Sequence, residues 1–102
     1  LTKIGEFLEI SHENSLNNLN GLEKITSSIN EVRISDNNNL NNIKGIENIS
    51  SVNNYIYIYS NKKLSACSIK LICNHIKNNG ILDLKFNASG CNDSAEVSIN
   101  CK

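Results

Sequence analysis

The chain has 102 residues, enough for one small domain, and its ten Lys and Arg balance its ten Asp and Glu. A neutral chain with no basic run and no acidic tail suits neither nucleic acid nor an anionic membrane surface, and no apolar stretch approaches the length of a membrane span. Pro, Met and Trp are absent while Asn makes up about a fifth of the residues, and Asn favours tight turns because its side chain bonds nearby backbone and it tolerates left-handed conformations.

From Leu8 onward a pattern of apolar residues recurs every 24 residues. Leu8-x-Ile10, Leu16, Leu19, Gly21-Leu22 and Ile25 are followed by Val32-x-Ile34, Leu40, Ile43, Gly45-Ile46 and Ile49. A third copy begins with Ile56-x-Ile58 and Leu64, then places Cys67 where an aliphatic residue is due. A fourth, spaced slightly wider, begins with Leu82-x-Leu84. Fixed apolar positions at a period of about 20–30 residues predict a solenoid, each copy being one coil stacked on the last.

Within a unit, the alternating pair predicts a short strand with those two side chains inward. The next five residues of the second unit, Ser35 to Asn39, are polar and turn the chain. Leu40, Ile43, Ile46 and Ile49 then point inward at spacings of three, as a tightly wound segment would place them. Gly21 and Gly45 occupy equivalent positions, which predicts a backbone conformation that a side chain would strain. Stacking aligns the strands into a parallel sheet and buries about six aliphatic side chains per unit, each contributing roughly 1.5–3 kcal/mol before conformational entropy is subtracted. Glu13, Asn37, Asn61 and Asn87 share one position of the unit, so the three Asn predict an internal hydrogen-bonded ladder. Glu13 breaks the series, with Asn14 beside it as a substitute.

The repeat spacing also sets columns on the outer face of the sheet: Phe7, Glu31, Tyr55 and Ile81; Glu9, Arg33, Tyr57 and Asp83; Ser11, Ser35, Tyr59 and Lys85. Tyr55-Ile56-Tyr57-Ile58-Tyr59 puts two isoleucines inward and three tyrosines outward. Arg33 is placed to lie against Tyr57 while pairing with Glu9. Exposed aromatics beside charges suit a protein, peptide or sugar ring, although Tyr also favours strands for structural reasons alone.

After Cys67 the rhythm changes. Ser68 is placed to cap a helix running to about Lys77, with Ile69, Ile72, Cys73 and Ile76 on one face. Asn79-Gly80 ends it, Ile81 to Phe86 forms the last strand, and Ser94 starts a short helix on which Val97 and Cys101 share a face. Helices laid over the open end of a repeat array hide its apolar side chains. The four cysteines admit three pairings. Spacing favours Cys67–Cys91, which follow adjacent strands by about the same distance, leaving Cys73–Cys101. Zinc ligation and free buried thiols are the competing readings; the gaps are wide and irregular, with no C-x-x-C pair. Disulfides imply an oxidising compartment.

Catalytic chemistry is not indicated. His12 falls in the first turn and His75 on the outer face of the helix, and neither belongs to a Ser-His-acid arrangement. Glu9, Glu13, Glu31 and Asp83 lack the spacing of paired catalytic carboxylates. No Gly-rich phosphate loop or metal motif is present, so neither cofactor nor metal is expected. Asn48-Ile-Ser50, Asn87-Ala-Ser89 and Asn92-Asp-Ser94 match the N-glycosylation pattern, as chance would produce in a chain rich in Asn and Ser.

Two families share features with these residues. The leucine-rich repeats have a pattern close to L-x-L-x-x-N-x-L; here Ile34-x-x-Asn37-x-x-Leu40 has two residues between Asn and Leu. The chain more closely resembles the receptor L-domain-like repeats of secreted or surface proteins of Bacteroidetes. Their units read like Leu40-x-x-Ile43-x-Gly45-Ile46-x-x-Ile49, then a strand and an Asn turn. Their arrays end like Leu64-Ser-x-Cys67, a helix containing Ile72-Cys73, Asn87-Ala-x-Gly90-Cys91-Asn92 and a last Cys. This resemblance spans essentially the whole chain and implies a right-handed β-solenoid and export. It implies no known ligand.

The expectation is therefore a mainly β protein: a short right-handed parallel β-solenoid, leucine-rich-repeat-like, of about four coils of 24 residues with a disulfide-bonded helical C-terminal cap. Residues 1–66 form coils, and 67–102 form the last coil and the cap of this single repeat domain, read as a piece of a longer protein that starts at Leu1 without Met. Its expected role is non-catalytic recognition of a protein, peptide or glycan at the cell surface or outside the cell, through Tyr55, Tyr57, Tyr59, Arg33, Glu9, Glu31 and Asp83. A stalk or spacer with no ligand of its own is the alternative. The open edge at the Leu1 end invites self-association.

Overall fold

The computed structural model describes residues 2–4 and 6–101. In chain order the elements are β1 (Thr2–Ile4), β2 (Phe7–Ser11), β3 (Ile29–Ser35), a 3₁₀ turn (Lys44–Ile46), β4 (Val52–Tyr59), α1 (Lys70–Lys77), β5 (Ile81–Lys85) and α2 (Ser94–Ile99). The protein is mainly β: β2, β3, β4 and β5 are parallel neighbours in one sheet. The register follows the repeat. Leu8, Val32, Ile56 and Leu82 lie side by side, as do Ile10, Ile34, Ile58 and Leu84. A slip of one residue would turn these rows outward, so burial of one face specifies the register.

The edge at β2, expected to stand open, is paired. β1 lies antiparallel along it, with Lys3 opposite Glu9 and Ile4 opposite Leu8. Leu1 itself lies outside the described residues.

Behind the sheet, the segment after β3 carries Leu40, Ile43, Ile46 and Ile49 into the core, all at 3% exposure or less. The spacing of three arises from successive turns: Leu40 N–H bonds Asn37 C=O, Ile46 N–H bonds Ile43 C=O, and Ile49 N–H bonds Ile46 C=O. The segment after β2 repeats this with Leu16, Leu22 and Ile25, each bonded three residues back. These three are only partly buried, because among the described residues no further unit lies beyond theirs.

Gly21 and Gly45 occupy equivalent sequence positions for two different reasons. Gly21 has φ +106° in open space, whereas a Cβ on Gly45 would run into the Leu19 carbonyl of the preceding unit. Gly45→Ala is expected to cost about 2–3 kcal/mol by overpacking against backbone. Gly21→Ala should cost about 1–2 kcal/mol through conformation alone. Urea unfolding of the two variants checks the order.

Each parallel strand ends in a left-handed residue: His12 (φ 56°), Asp36 (56°), Ser60 (58°) and Phe86 (61°). In the first three the N–H still reaches the neighbouring strand, bonding the carbonyls of Ser35, Tyr59 and Lys85. The sharp corner aims the following side chain inward, and these side chains form the ladder. Asn37 Oδ1 accepts from Glu13 N–H at 2.9 Å, Asn61 Oδ1 from Asn37 N–H at 3.2 Å, and Asn87 Oδ1 from Asn61 N–H at 3.1 Å. The amide nitrogens of Asn37, Asn61 and Asn87 donate back to the carbonyls of Ile10, Ile34 and Ile58 at 3.1, 3.0 and 2.8 Å. Asn14 does not substitute for Glu13; it pairs instead with Asn38 and Asn39 on the exposed side. At the far end Asn92 Oδ1 accepts from Asn87 N–H at 3.3 Å, supplying the rung that a further unit would have provided. Asn87 spends its amide nitrogen on Ile58 and Cys91 carbonyls, so that glycosylation-like motif is occupied by the fold.

The end beyond β5 carries both helices and both disulfides, Cys67–Cys91 and Cys73–Cys101, with Cα atoms 5.4 and 5.5 Å apart. α1 buries Leu71 and Ile72, and α2 buries Val97. Ser68 is not the cap of α1. The residue there is Ile69, without a side-chain bond, and Ser68 Oγ donates to Val97 C=O at 2.8 Å, tying the helical regions together. α2 is capped by Asp93, which accepts from Glu96 N–H at 2.8 Å.

Candidate binding face of the sheet

β4 alternates buried Ile56 and Ile58, both fully enclosed, with half-buried Tyr55, Tyr57 and Tyr59 on the outer face. The strand register places the expected columns side by side: Glu31 beside Tyr55 and Ile81, Arg33 beside Tyr57 and Asp83, Ser35 beside Tyr59 and Lys85. The rings lean along the strand and stack on one another. Tyr55 and Tyr57 centroids are 4.1 Å apart at 24°, and Tyr57 and Tyr59 are 5.5 Å apart at 10°. Tyr57 is therefore covered on both ring faces.

The charges organise around the two outer rings. Arg33 does not take the Glu9–Tyr57 position expected from the columns. Its Nε and Nη2 donate to the Tyr55 hydroxyl at 3.0 and 2.6 Å, and that hydroxyl donates to Glu31 Oε1 at 2.6 Å. The Arg33 guanidinium lies 5.5 Å from the Tyr55 centroid, within cation–π range. Diagonal reach across neighbouring strands explains the choice: one hydroxyl satisfies two donors and leads on to a carboxylate. At the other end the Tyr59 hydroxyl donates to Asp83 Oδ2, and the Lys85 ammonium lies 5.9 Å from the Tyr59 ring. Lys85 belongs to the face although the candidate set omitted it; its place in the Tyr59 column was the signal. Glu9 makes no contact with this cluster beyond a distant charge effect on Arg33.

The hydrogen bonds shift the phenols. Donation to Asp83, then burial, pushes Tyr59 up to about 12. The bond to Glu31 raises Tyr55, opposed by the bond from Arg33. Because the folded Tyr59 holds its proton more tightly than a free phenol, its contribution to stability is whole below pH 10 and is lost as pH rises toward 12. Ultraviolet titration of the phenols should show Tyr59 ionising late, and Asp83→Asn, which removes the carboxylate, should bring that step down.

No family model, curated protein or solved structure matches this chain. The reading of the face therefore rests on its own geometry.

The remaining titratable groups are scattered. His12 Nε2 lies 3.8 Å from Asp36 Oδ2 at an exposed corner. His75, expected outside, is 6% exposed, and its Nε2 bonds the Ile81 carbonyl at 2.8 Å. A carbonyl only accepts, so Nε2 carries the hydrogen. A cleft of about 250 Å³ beside it is lined by Ser50, Ser51, Asn74 and Asn78 with no charged side chain. Among the described residues no group of three or more His, Cys, Asp or Glu is placed to hold a metal ion, and no helix is long and apolar enough to cross a membrane.

Proposed function

We propose that this domain is a non-catalytic recognition module of an exported protein, binding a partner through the outer face of the sheet. The observation that carries the reading is the continuous line Arg33–Tyr55–Tyr57–Tyr59–Lys85, on the face away from the core and bordered by Glu31 and Asp83. Tyrosine and arginine dominate binding hot spots because they offer large rigid area with a polar end.

The backbone reading goes with it: a short right-handed parallel solenoid of receptor L-domain-like repeats, with a helical cap. Its support is the constant register of strands and Asn rungs across successive units. Export is supported by two disulfides, which persist in oxidising compartments.

Binding of the purified domain to peptide and glycan arrays tests the function, beside a Tyr55→Ala, Tyr57→Ala, Tyr59→Ala variant checked for folding by circular dichroism. Saturable binding lost in the folded variant supports recognition. Silence from both arrays favours a stalk, in which the stacked tyrosines serve only the sheet.

A further inference from the structure

The cleft beside His75 separates two segments that face each other and share no hydrogen bond among the described residues. One is α1 with its C-cap, which presents Leu71, Asn74, His75 and Asn78 at the spacing of one helical face. The other is the approach to β4, from Ser50 to Asn53. A helical face turned toward the rest of a domain normally packs through apolar side chains. Here three of the four are polar, and the cleft between the segments measures about 250 Å³.

Its polar groups are not consumed by the fold. His75 is 6% exposed, and its Nε2 donates to the Ile81 carbonyl. Nδ1 makes no hydrogen bond among the described residues, yet it is not sealed from solvent. The ring lines the cleft, so a nearly buried acceptor opens into it. Asn74 and Asn78 are exposed, and their side-chain amides make no hydrogen bond among the described residues. One turn apart, they hold their Cβ atoms about 5–6 Å from each other. On the other wall the Ser50 and Ser51 hydroxyls each bond Ser28 Oγ and keep capacity for another partner.

The cleft therefore offers donors and acceptors together, and no charge. A ligand that answers it is uncharged and brings both kinds of group. Two hydroxyls on adjacent carbons present a donor and an acceptor side by side, the pattern that a planar carboxamide meets with its NH2 and C=O. A peptide group also brings both, but in its trans form they point in opposite directions. The volume falls below the about 300–1,000 Å³ of sites for drug-sized ligands, so a single ring suits it. We propose that this cleft binds one neutral sugar unit, whose adjacent hydroxyls pair with the Asn74 and Asn78 amides while another hydroxyl donates to His75 Nδ1. The proposal does not depend on the reading of the sheet face.

Nitrogen–proton correlation NMR of the whole 102-residue domain tests it, because carboxamide NH2 groups give signals of their own. The titrants are glucose, galactose, mannose and N-acetylglucosamine, with glucuronate and glucosamine as charged controls and N-acetylglycinamide as the peptide control. The expected result is saturable movement of the Asn74 and Asn78 side-chain signals with a neutral sugar, at a Kd on the order of 1 mM for so small a ligand. An Asn74→Ala, Asn78→Ala variant should keep its fold, since alanine favours helix and neither side chain is buried. Its affinity, read from the backbone signals of Ser50 and Ser51, should fall at least about tenfold. Movement confined to Tyr55, Tyr57 and Tyr59 would overturn the cleft site and place the sugar on the sheet face. A charged sugar or the amide bound in preference would overturn the ligand class. No saturable movement with any neutral sugar, or an affinity that the variant leaves intact, would overturn the proposal while leaving the sheet face untouched.

Discussion

Asn61→Ala is expected to destabilise the domain by about 4 kcal/mol, a large part of the ~5–15 kcal/mol that holds a domain of this size together. Asn61 is fully buried. Its Oδ1 accepts from the Asn37 backbone N–H and side-chain amide, and its Nδ2 donates to Ile34, to Tyr59 and to Asn87. Truncation leaves the buried Asn37 N–H and Ile34 carbonyl without the side chain that answers them, and each such group costs about 1–3 kcal/mol. Leucine at the same place should do no better, since it fills the space without answering the backbone. Asn92→Ala is the internal comparison. It deletes one exposed bond at the end of the ladder and should cost about 1 kcal/mol or less. Urea unfolding followed by circular dichroism measures both. Equal losses would mean that burial of the ladder contributes nothing.

The disulfides should separate under graded reduction. Cys67 and Cys91 are wholly buried, whereas Cys73 and Cys101 are partly exposed. Thiol exchange needs the attacking sulfur to reach its target. Cys73–Cys101 should therefore open first at low reductant with the sheet intact, and Cys67–Cys91 only when the domain unfolds. Alkylation and mass spectrometry of the trapped thiols report the order. Replacing Cys67 and Cys91 together by Ala removes a bridge spanning 24 residues, and the loop-entropy model gives a loss of about 3.5 kcal/mol. The Cys73 and Cys101 pair closes a loop of similar size, 28 residues, so accessibility rather than loop length should distinguish the two.

Strand register, the Asn rungs and the columns of the outer face were all legible in the residues, because one repeat governs them, 24 residues long and widening to 26 at the last copy. The misses lie where that period stops. β1 is three residues long, too short for any alternation to announce a strand. The His75 side chain was placed outward by helical phase alone. It is buried because Gly80 leaves room against its ring and the Ile81 carbonyl offers a partner. Ser68 resembled a helix cap by residue type, yet its hydroxyl found the end of α2 instead. Arg33 lies in its expected column, but a long exposed side chain chooses among neighbours by hydrogen bonding, which spacing does not encode. The tyrosines are where they were expected; that their rings close on one another, leaving edges and hydroxyls for solvent, is a matter of side-chain torsion.

Asn92 has a consequence for how such a chain can change in length. It fills the place of the next rung from only five residues ahead, so no unit can be docked squarely onto β5 while the cap stands. Growth by gene duplication must enter upstream of the cap, in whole repeats that join at equivalent positions, each bringing its own rung and corner. Every such event before β4 would move the tyrosine line by one strand spacing, about 4.8 Å, relative to the first strand. The domain would then lengthen like a ruler with fixed graduations, its tyrosine line always the same distance from its capped end.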